Sequence, residues 1–433
     1  MSTSFDDKIS LLRKTFEKQE TLIRVFKELS SEMELCDLLR MIIEKSTEIM
    51  EADRSTCFLL DEQNEELFSK VAQGAKEIRI PLSAGIAGSV CRTGTIVNIK
   101  DAYSDERFNR DVDKKTGYKT NTILCVPMRN AEQKVIGVIQ VLNKEVGTFT
   151  EEDEELLLAL ASGAAIFVEN AQLYQEIANL FEAILNVASK TIDDRDPCTA
   201  GHSKRVTLYA QKLARAVDEA KGSFVEVNFS KAELKQLHYA AVLHDFGKIG
   251  VREHVLTKGS KVTNDRLEVL RLRLELEKRD AKDDNKEELC KRLDDDYEFL
   301  KGLNKKGFLA EEELERLKAL QERRTIDKED FVNLSVKKGN LTENELRDMR
   351  SHAEKSLAIL NQIPWPTRLS RVPEIAGSHH EKLNGQGYPK GLPAEDIPIE
   401  SRILAIADIY DALTAQDRPY KPAIPHEKAK NIL

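Results

Sequence analysis

The sequence is short of several things, and each shortage closes off a class of protein. Only 20 glycines and 12 prolines occur in 433 residues, which excludes collagen-like and low-complexity chains; the 41 % hydrophobic content is enough to build packed cores. No run approaches the roughly 18–20 apolar residues that a membrane-spanning helix needs. Met1 to Arg24 is charged and amphipathic where a secretory leader would be apolar. A cytoplasmic protein with no membrane partner is therefore expected. The six cysteines, Cys36, Cys57, Cys91, Cys125, Cys198 and Cys290, contain no CxxC pair, so reduced thiols are expected and not a disulfide framework. Basic excess is missing as well. With 66 Lys plus Arg against 75 Asp plus Glu, the net charge of -9 argues against binding a nucleic-acid polymer, although a local basic pocket for a small phosphate ligand is compatible with it.

The length fits two or three domains, and two textures are present. From Leu35 to Asn143, short β-branched runs such as Thr95–Ile99, Ile123–Pro127 and Val135–Leu142 are separated by Gly and Asp/Asn, which predicts a sheet framed by helices. A helical pattern from Glu151 continues through Leu173, Ile177, Leu180, Ile184 and Val187. One long connecting helix is predicted over 165–195; it can carry a signal, form a parallel dimer seam or simply join two domains. After Phe181, helix patterns dominate. The stretch from Arg252 to Arg350 is highly charged, with Leu at helical spacing. Within it a phrase recurs at Lys258, Lys306 and Lys338, each a glycine turn leading into a helix start.

Five histidines and two aspartates carry the chemistry. His244 and Asp245 end an apolar helical run, His379 and His380 form a second adjacent pair, and His202 and His352 lie on predicted helices. Asp408 sits between Ala407 and Ile409, where an unpartnered carboxylate is costly and metal ligation would offset the cost. Adjacent side chains on a helix diverge by about 100°, so one of a pair can bind one cation while its neighbour reaches a second.

Five ordered blocks carry a resemblance: Ala200–Val206, His244–Gly250, Ser351–His352, His379–Leu392 with its HHExxxGxGYP string, and Arg402–Asp411. They resemble the HD-GYP family of HD-domain metal phosphohydrolases. The resemblance implies His202, His244, Asp245, His352, His379, His380 and Asp408 as metal ligands, with Asp245 bridging. It implies two divalent ions, iron or manganese foremost, with zinc, nickel or magnesium tolerated, and a shared water that attacks phosphorus. It further implies Lys248 as the lysine that stabilises phosphate charge, and Gly387, Tyr388, Pro389, Arg418 and Lys421 as substrate contacts. Two departures stand out. Cys198 occupies the position where some members carry a third-metal Glu, and His244 and His352 lie 108 positions apart, so 252–350 reads as an insertion.

Residues 22–174 resemble a GAF domain of the cyclic-nucleotide-binding kind, through Gly85–Gly88, Asp101–Tyr103, Phe108–Leu124 and the signature residues Asn143, Lys144, Phe149, Asp153 and Glu154. This likeness implies Lys144 paired with Asp153 as a structural tie, and Ile86, Ala87, Asp113, Thr116 and Thr120 as contacts to cAMP or cGMP; a GAF domain that binds nothing and serves for dimerisation stays open. The expected fold is multidomain. An N-terminal helix (1–21) precedes an α+β GAF domain, with an antiparallel sheet flanked by helices (22–174), and an all-α HD-type domain follows (181–433). The expected activity is metal-dependent hydrolysis of a cyclic dinucleotide, cyclic di-GMP foremost, by a homodimer. Cyclic GMP-AMP or another phosphoester, or a catalytically silent binding protein, are the alternatives.

Overall fold

A computed structural model describes residues 19–32, 34–71, 78–196, 201–220, 227–280, 286–415 and 423–433. The chain divides into two compact units, Met1–Phe181 and Glu182–Leu433.

In the first unit, helix α1 (Leu35–Ile49) leads into strands β1 (Ala52–Asp61), β2 (Glu66–Ser69) and β3 (Ile78–Pro81). Helix α2 (Gly85–Thr93), strand β4 (Val97–Ile99), helix α3 (Arg110–Thr116) and strands β5 (Ile123–Arg129) and β6 (Val135–Lys144) follow. The strands form one sheet in the order β3-β2-β1-β6-β5-β4, antiparallel throughout. Period-two alternation puts Cys57, Leu59, Leu124, Val126, Ile139 and Val141 on one face, against α1 and the start of the long helix α4 (Glu151–Arg195). Phe58, Ile123, Cys125 and Val138 point to the other face, where Ile86, Ala87 and Val90 of α2 cover them. This is the α+β arrangement expected of the sequence.

Helix α4 departs from one expectation. It is long and apolar enough, by length and composition alone, to cross a membrane. The reason is that both of its faces are apolar. Leu157, Leu160, Ala161, Ala164, Ala165, Val168 and Ala171 are buried in the first unit's core, while Ile166, Leu173 and Ile177 on another face are exposed.

The second unit is helical among the described residues. It contains α5 (His202–Asp218), α6 (Lys231–Leu243), a short α7 (Glu253–Leu256), α8 (Asn264–Asp280), α9 (Lys286–Asn304), α10 (Glu311–Glu322), α11 (Lys328–Leu334), α12 (Glu343–Leu360), α13 (Val372–Gly377), α14 (Ile399–Thr414) and α15 (His426–Lys430). Sequence signals start several of these helices. Ser230 and Glu233 form a capping box on α6, as Thr342 and Glu345 do on α12. The charged stretch between Arg252 and Arg350 builds its own small core from Val262, Leu270, Leu300, Leu303, Leu317, Leu320, Ile326 and Leu334. Its recurring glycine phrases are turns that meet each other: Leu309 N–H donates to the Lys337 carbonyl, and Gly339 N–H to that of Gly307.

Candidate metal centre

Five parts of the second unit converge: the start of α5, the end of α6, the middle of α12, the turn after α13, and α14. His202 opens α5, His244 closes α6 with Asp245 beside it, His352 lies within α12, His379 and His380 follow α13, and Asp408 lies within α14. His202, His244, Asp245, His352 and His379 are buried. Gly247 lets the turn after α6 (Phe246–Gly250) approach α12 this closely: a Cβ there would lie 1.9 Å from the His352 carbonyl oxygen. Ser356 Oγ ties the same junction, donating to the His244 carbonyl and accepting from Gly247 N–H, both at 2.7 Å.

Two donor groups result, His202 with His244 and Asp245, and His352 with His379 and His380, each with its donor atoms within 4.8 Å of one another. Asp245 faces both. Its Oδ2 lies 3.8 Å from His202 Nε2 and 3.5 Å from His244 Nε2, while its Oδ1 lies 3.4 Å from His352 Nε2. Asp408 Oδ1 closes the first group at 3.2 Å from His202 Nε2.

The hydrogen bonds fix the tautomers. Nδ1 of His244, His352 and His379 points at the carbonyls of Ala241, Met349 and Ala376, at 2.8, 2.7 and 2.6 Å. A carbonyl only accepts, so each Nδ1 carries the proton and each Nε2 presents a bare lone pair. All three Nε2 atoms are buried without a hydrogen-bond partner. Burial disfavours the charged imidazoles, and it holds His244 and His352 below the ordinary value and pushes His379 down to about 4. Three neutral imidazoles aimed inward around buried carboxylates are the donor set of a divalent cation site.

His202 differs from the others. Burial opposes its charge, but hydrogen bonds to Asp408 and Asp411, with Asp245 nearby, outweigh that and push it up to about 9. Asp245 is held well below the usual carboxylate range, because Lys248 and the surrounding histidines outweigh the cost of burial. Lys248 Nζ lies 2.8 Å from Asp245 Oδ2 and 3.2 Å from Asp196 Oδ2.

Several supporting residues gave no signal in the sequence beyond their neighbourhood. Asp193, at the end of α4, accepts from Ser203 Oγ at 2.8 Å. Arg195 donates to the carbonyls of Ile249 and Val251 at 2.6 and 3.0 Å, clamping the turn after the His–Asp pair. Glu381 is an adjacent acid in the His379–His380–Glu381 string, but its carboxylate accepts the backbone N–H groups of Lys390, Gly391 and Leu392. It shapes the loop that carries Gly387, Tyr388 and Pro389. The Tyr388 ring packs on His380 with centroids 4.7 Å apart, which puts it at the second donor group. Cys198, Arg418 and Lys421 lie outside the described residues.

The first unit holds a separate cavity of about 390 Å³, a size suited to a small ligand. Ile86, Ala87, Asp113 and Thr120 line it, together with Arg54, Phe108 and Tyr118. The side chain of Thr116 lies outside the described residues. Asp113 is already engaged, accepting from Tyr103 OH at 3.1 Å and from Thr120 N–H and Oγ1 at 2.7 and 2.9 Å. The signature residues lie together at the β6–α4 connection. Lys144 Nζ meets Asp153 Oδ1 at 2.9 Å, Phe149 is buried, Glu154 accepts from Asn98, and Asn143 accepts the N–H groups of Asn121 and Thr122.

Comparison with known families agrees with this division. Residues 34–168 match the GAF domain family, and 199–319 and 329–433 match two HD domain families. The chain joins a GAF domain to an HD-domain region. The HD domain implies divalent-metal binding, which the bare imidazole nitrogens fit. Among curated proteins, the chain is 41 % identical over 143 residues to "Probable 3',5'-cyclic phosphodiesterase pde-5" of Caenorhabditis elegans, covering 30 % of this chain and 20 % of that protein. It is 30 % identical over 286 residues to "Dual 3',5'-cyclic-AMP and -GMP phosphodiesterase 11" of Drosophila melanogaster, covering 58 % and 20 %. The chain therefore spans about one fifth of the length of these relatives. A solved GAF domain from an Acinetobacter phosphoenolpyruvate-protein phosphotransferase is 27 % identical, with a TM-score of 0.32, over 38 % of this chain and 98 % of that one.

Proposed function

We propose that the second unit is a metal-dependent phosphodiesterase of the HD-GYP type, acting on a cyclic dinucleotide, cyclic di-GMP foremost, under control of the GAF domain. The observation that carries this reading is the Asp245 carboxylate, which turns one oxygen toward His202 and His244 and the other toward His352. In this reading His202, His244, Asp245 and Asp408 would hold one divalent ion, and His352, His379 and His380, again with Asp245, would hold the other. Iron or manganese is the proposed pair. Two such ions supply a water of lowered pKa and neutralise charge on the phosphoryl oxygens. The protein's own residues do the rest. Lys248 contributes a fixed positive charge beside Asp245, raised in basicity because Asp245 and Asp196 outweigh its burial. Tyr388 offers a ring face to a base at the site's edge.

A second reading, hydrolysis of a 3',5'-cyclic mononucleotide, is favoured by the names of the relatives. The GAF cavity is proposed to take cAMP or cGMP, which would regulate the enzyme if it binds the active and inactive states unequally. A cytoplasmic location without a membrane partner belongs to the same proposal. The test is anaerobic purification with metal counting, followed by turnover of cyclic di-GMP, cyclic GMP-AMP, cAMP and cGMP side by side. Hydrolysis of cyclic di-GMP that His244→Ala abolishes is the expected result. Hydrolysis of mononucleotides alone selects the second reading, and no turnover of any of them by metal-loaded protein overturns both.

A further inference from the structure

Helix α12 carries three basic side chains, Arg347, Arg350 and Lys355, and two of them bond within the protein. Arg347 donates to Asn344 Oδ1 at 3.2 Å, and Lys355 donates to the Gly250 carbonyl at 2.6 Å. Arg350 is exposed, and among the described residues no carboxylate pairs with it. Its guanidinium instead lies over the Tyr388 ring, with Cζ 5.5 Å from the centroid. That ring belongs to the metal centre, with its centroid 4.7 Å from that of His380 and 6.4 Å from that of His352. Arg350 stands two residues before His352 on the same helix, so one rigid element presents both side chains to this corner of the site. The start of that helix is pinned. Lys258 Nζ meets the two Glu345 carboxylate oxygens at 2.8 and 2.7 Å and Asn333 Oδ1 at 2.7 Å.

The chemistry of this cation narrows its ligand. An arginine fork offers parallel N–H donors in a fixed plane. Guanine presents two acceptors, O6 and N7, along one edge, whereas adenine presents N7 beside an amino group that meets the fork donor against donor. The one contact of Arg350 is an aromatic ring, the kind of surface on which a base lies flat. The groups that come within its reach are then those on the edge of that base. Charge on the phosphoryl oxygens is met separately, by Lys248 beside Asp245.

We infer that Arg350 reads the guanine edge of a base stacked on Tyr388 and so sets a preference for guanine over adenine. Resting on the phosphodiesterase reading, this makes Arg350 a specificity-determining residue of the same site. The test measures kcat and KM of the metal-loaded full chain on cyclic di-GMP and cyclic di-AMP, with cyclic di-AMP assayed as a competitive inhibitor if its turnover is too slow. The parent should prefer cyclic di-GMP. Arg350→Gln removes the charge, and Arg350→Lys keeps the charge but loses the fork. Each should raise KM for cyclic di-GMP by about 10–100-fold, with metal content kept and the constant for cyclic di-AMP changed by no more than about twofold. An equal loss on both dinucleotides would make Arg350 a phosphate contact, and a lysine variant equal to the parent would reduce its role to charge; either overturns the inference. So does a parent without preference, or a glutamine variant that matches it. Absence of turnover of cyclic di-GMP by the parent is a failure of the phosphodiesterase reading itself, seen before any variant is made, and it takes the role of Arg350 with it.

Discussion

The Nδ1 of His202 donates to the Asp411 carboxylate at 2.8 Å, linking the first residue of α5 to a residue 209 positions later on α14. Arg205 holds the same carboxylate at 2.7 and 3.1 Å, so Asp411 is fixed from two sides. His202 is thus oriented by an acid, whereas His244, His352 and His379 are oriented by backbone carbonyls. A carboxylate behind a ligating imidazole fixes its orientation and raises its basicity. Asp411→Asn keeps the shape but removes the charge. It is expected to weaken binding of the first metal by about 10–100-fold, read by competition with a chelator of known affinity; unchanged affinity would exclude the role.

The three buried Nε2 atoms without a partner make the second unit's stability depend on what binds there. Unsatisfied buried polar groups are a standing cost, and a cation that binds only the folded state relieves it. With Mn²⁺ at about 100 times its dissociation constant, the parent should gain about 2.7 kcal/mol, seen as a rise in the unfolding temperature. His244→Ala should lose most of that gain while remaining folded without metal. A variant that still responds fully to Mn²⁺ would place the site elsewhere.

The loop after His380 gives a test that separates substrate positioning from metal binding. Gly387 packs so tightly that a Cβ would lie 2.4 Å from both Glu381 Cα and Lys382 N, which are backbone atoms that cannot swing away. Gly387→Ala must displace Tyr388. Because a misplacement of about 1 Å can cost on the order of 100-fold in rate, the variant should lose turnover to that extent with its metal content unchanged. Loss of both together would mean that the loop supports the metal site itself.

Much of the fold was legible because its signals are local. Alternating β-branched runs mark β5 and β6, the Ser230–Glu233 and Thr342–Glu345 pairs mark helix starts, and the paired residues His244–Asp245 and His379–His380 stand out by adjacency. The supporting residues were not legible because their roles are nonlocal. Asp411 is one acid among many on helices until α5 and α14 pack together, and Arg195 looks like an ordinary helix-end cation until its fork meets the turn after Lys248. Glu381 shows the converse: its place beside two histidines suggests a ligand, but three backbone N–H groups claim its oxygens. The apolarity of α4 also misled the reading by run length, because it arises from two apolar faces and not from one continuous run.

Asp153 offers a pH test far from any metal. Burial opposes its charge, but the Thr150 N–H and the Lys144 ammonium outweigh that and hold its carboxyl below the ordinary range. A depressed folded-state value means the ion contributes stability above the unfolded value of about 3.9, and that contribution fades as the pH falls through the folded value. Asp153→Asn should therefore cost about 1–3 kcal/mol at pH 7, lowering the first unit's calorimetric transition by several degrees. As the pH falls below the unfolded value of about 3.9, the unfolded chain takes up the proton first, so the difference between the two proteins should begin to shrink, and it should vanish only below the lowered folded value. A difference that stays constant from pH 7 to pH 3 would show that the Lys144–Asp153 contact acts through shape alone, since only a charge-dependent tie disappears on protonation.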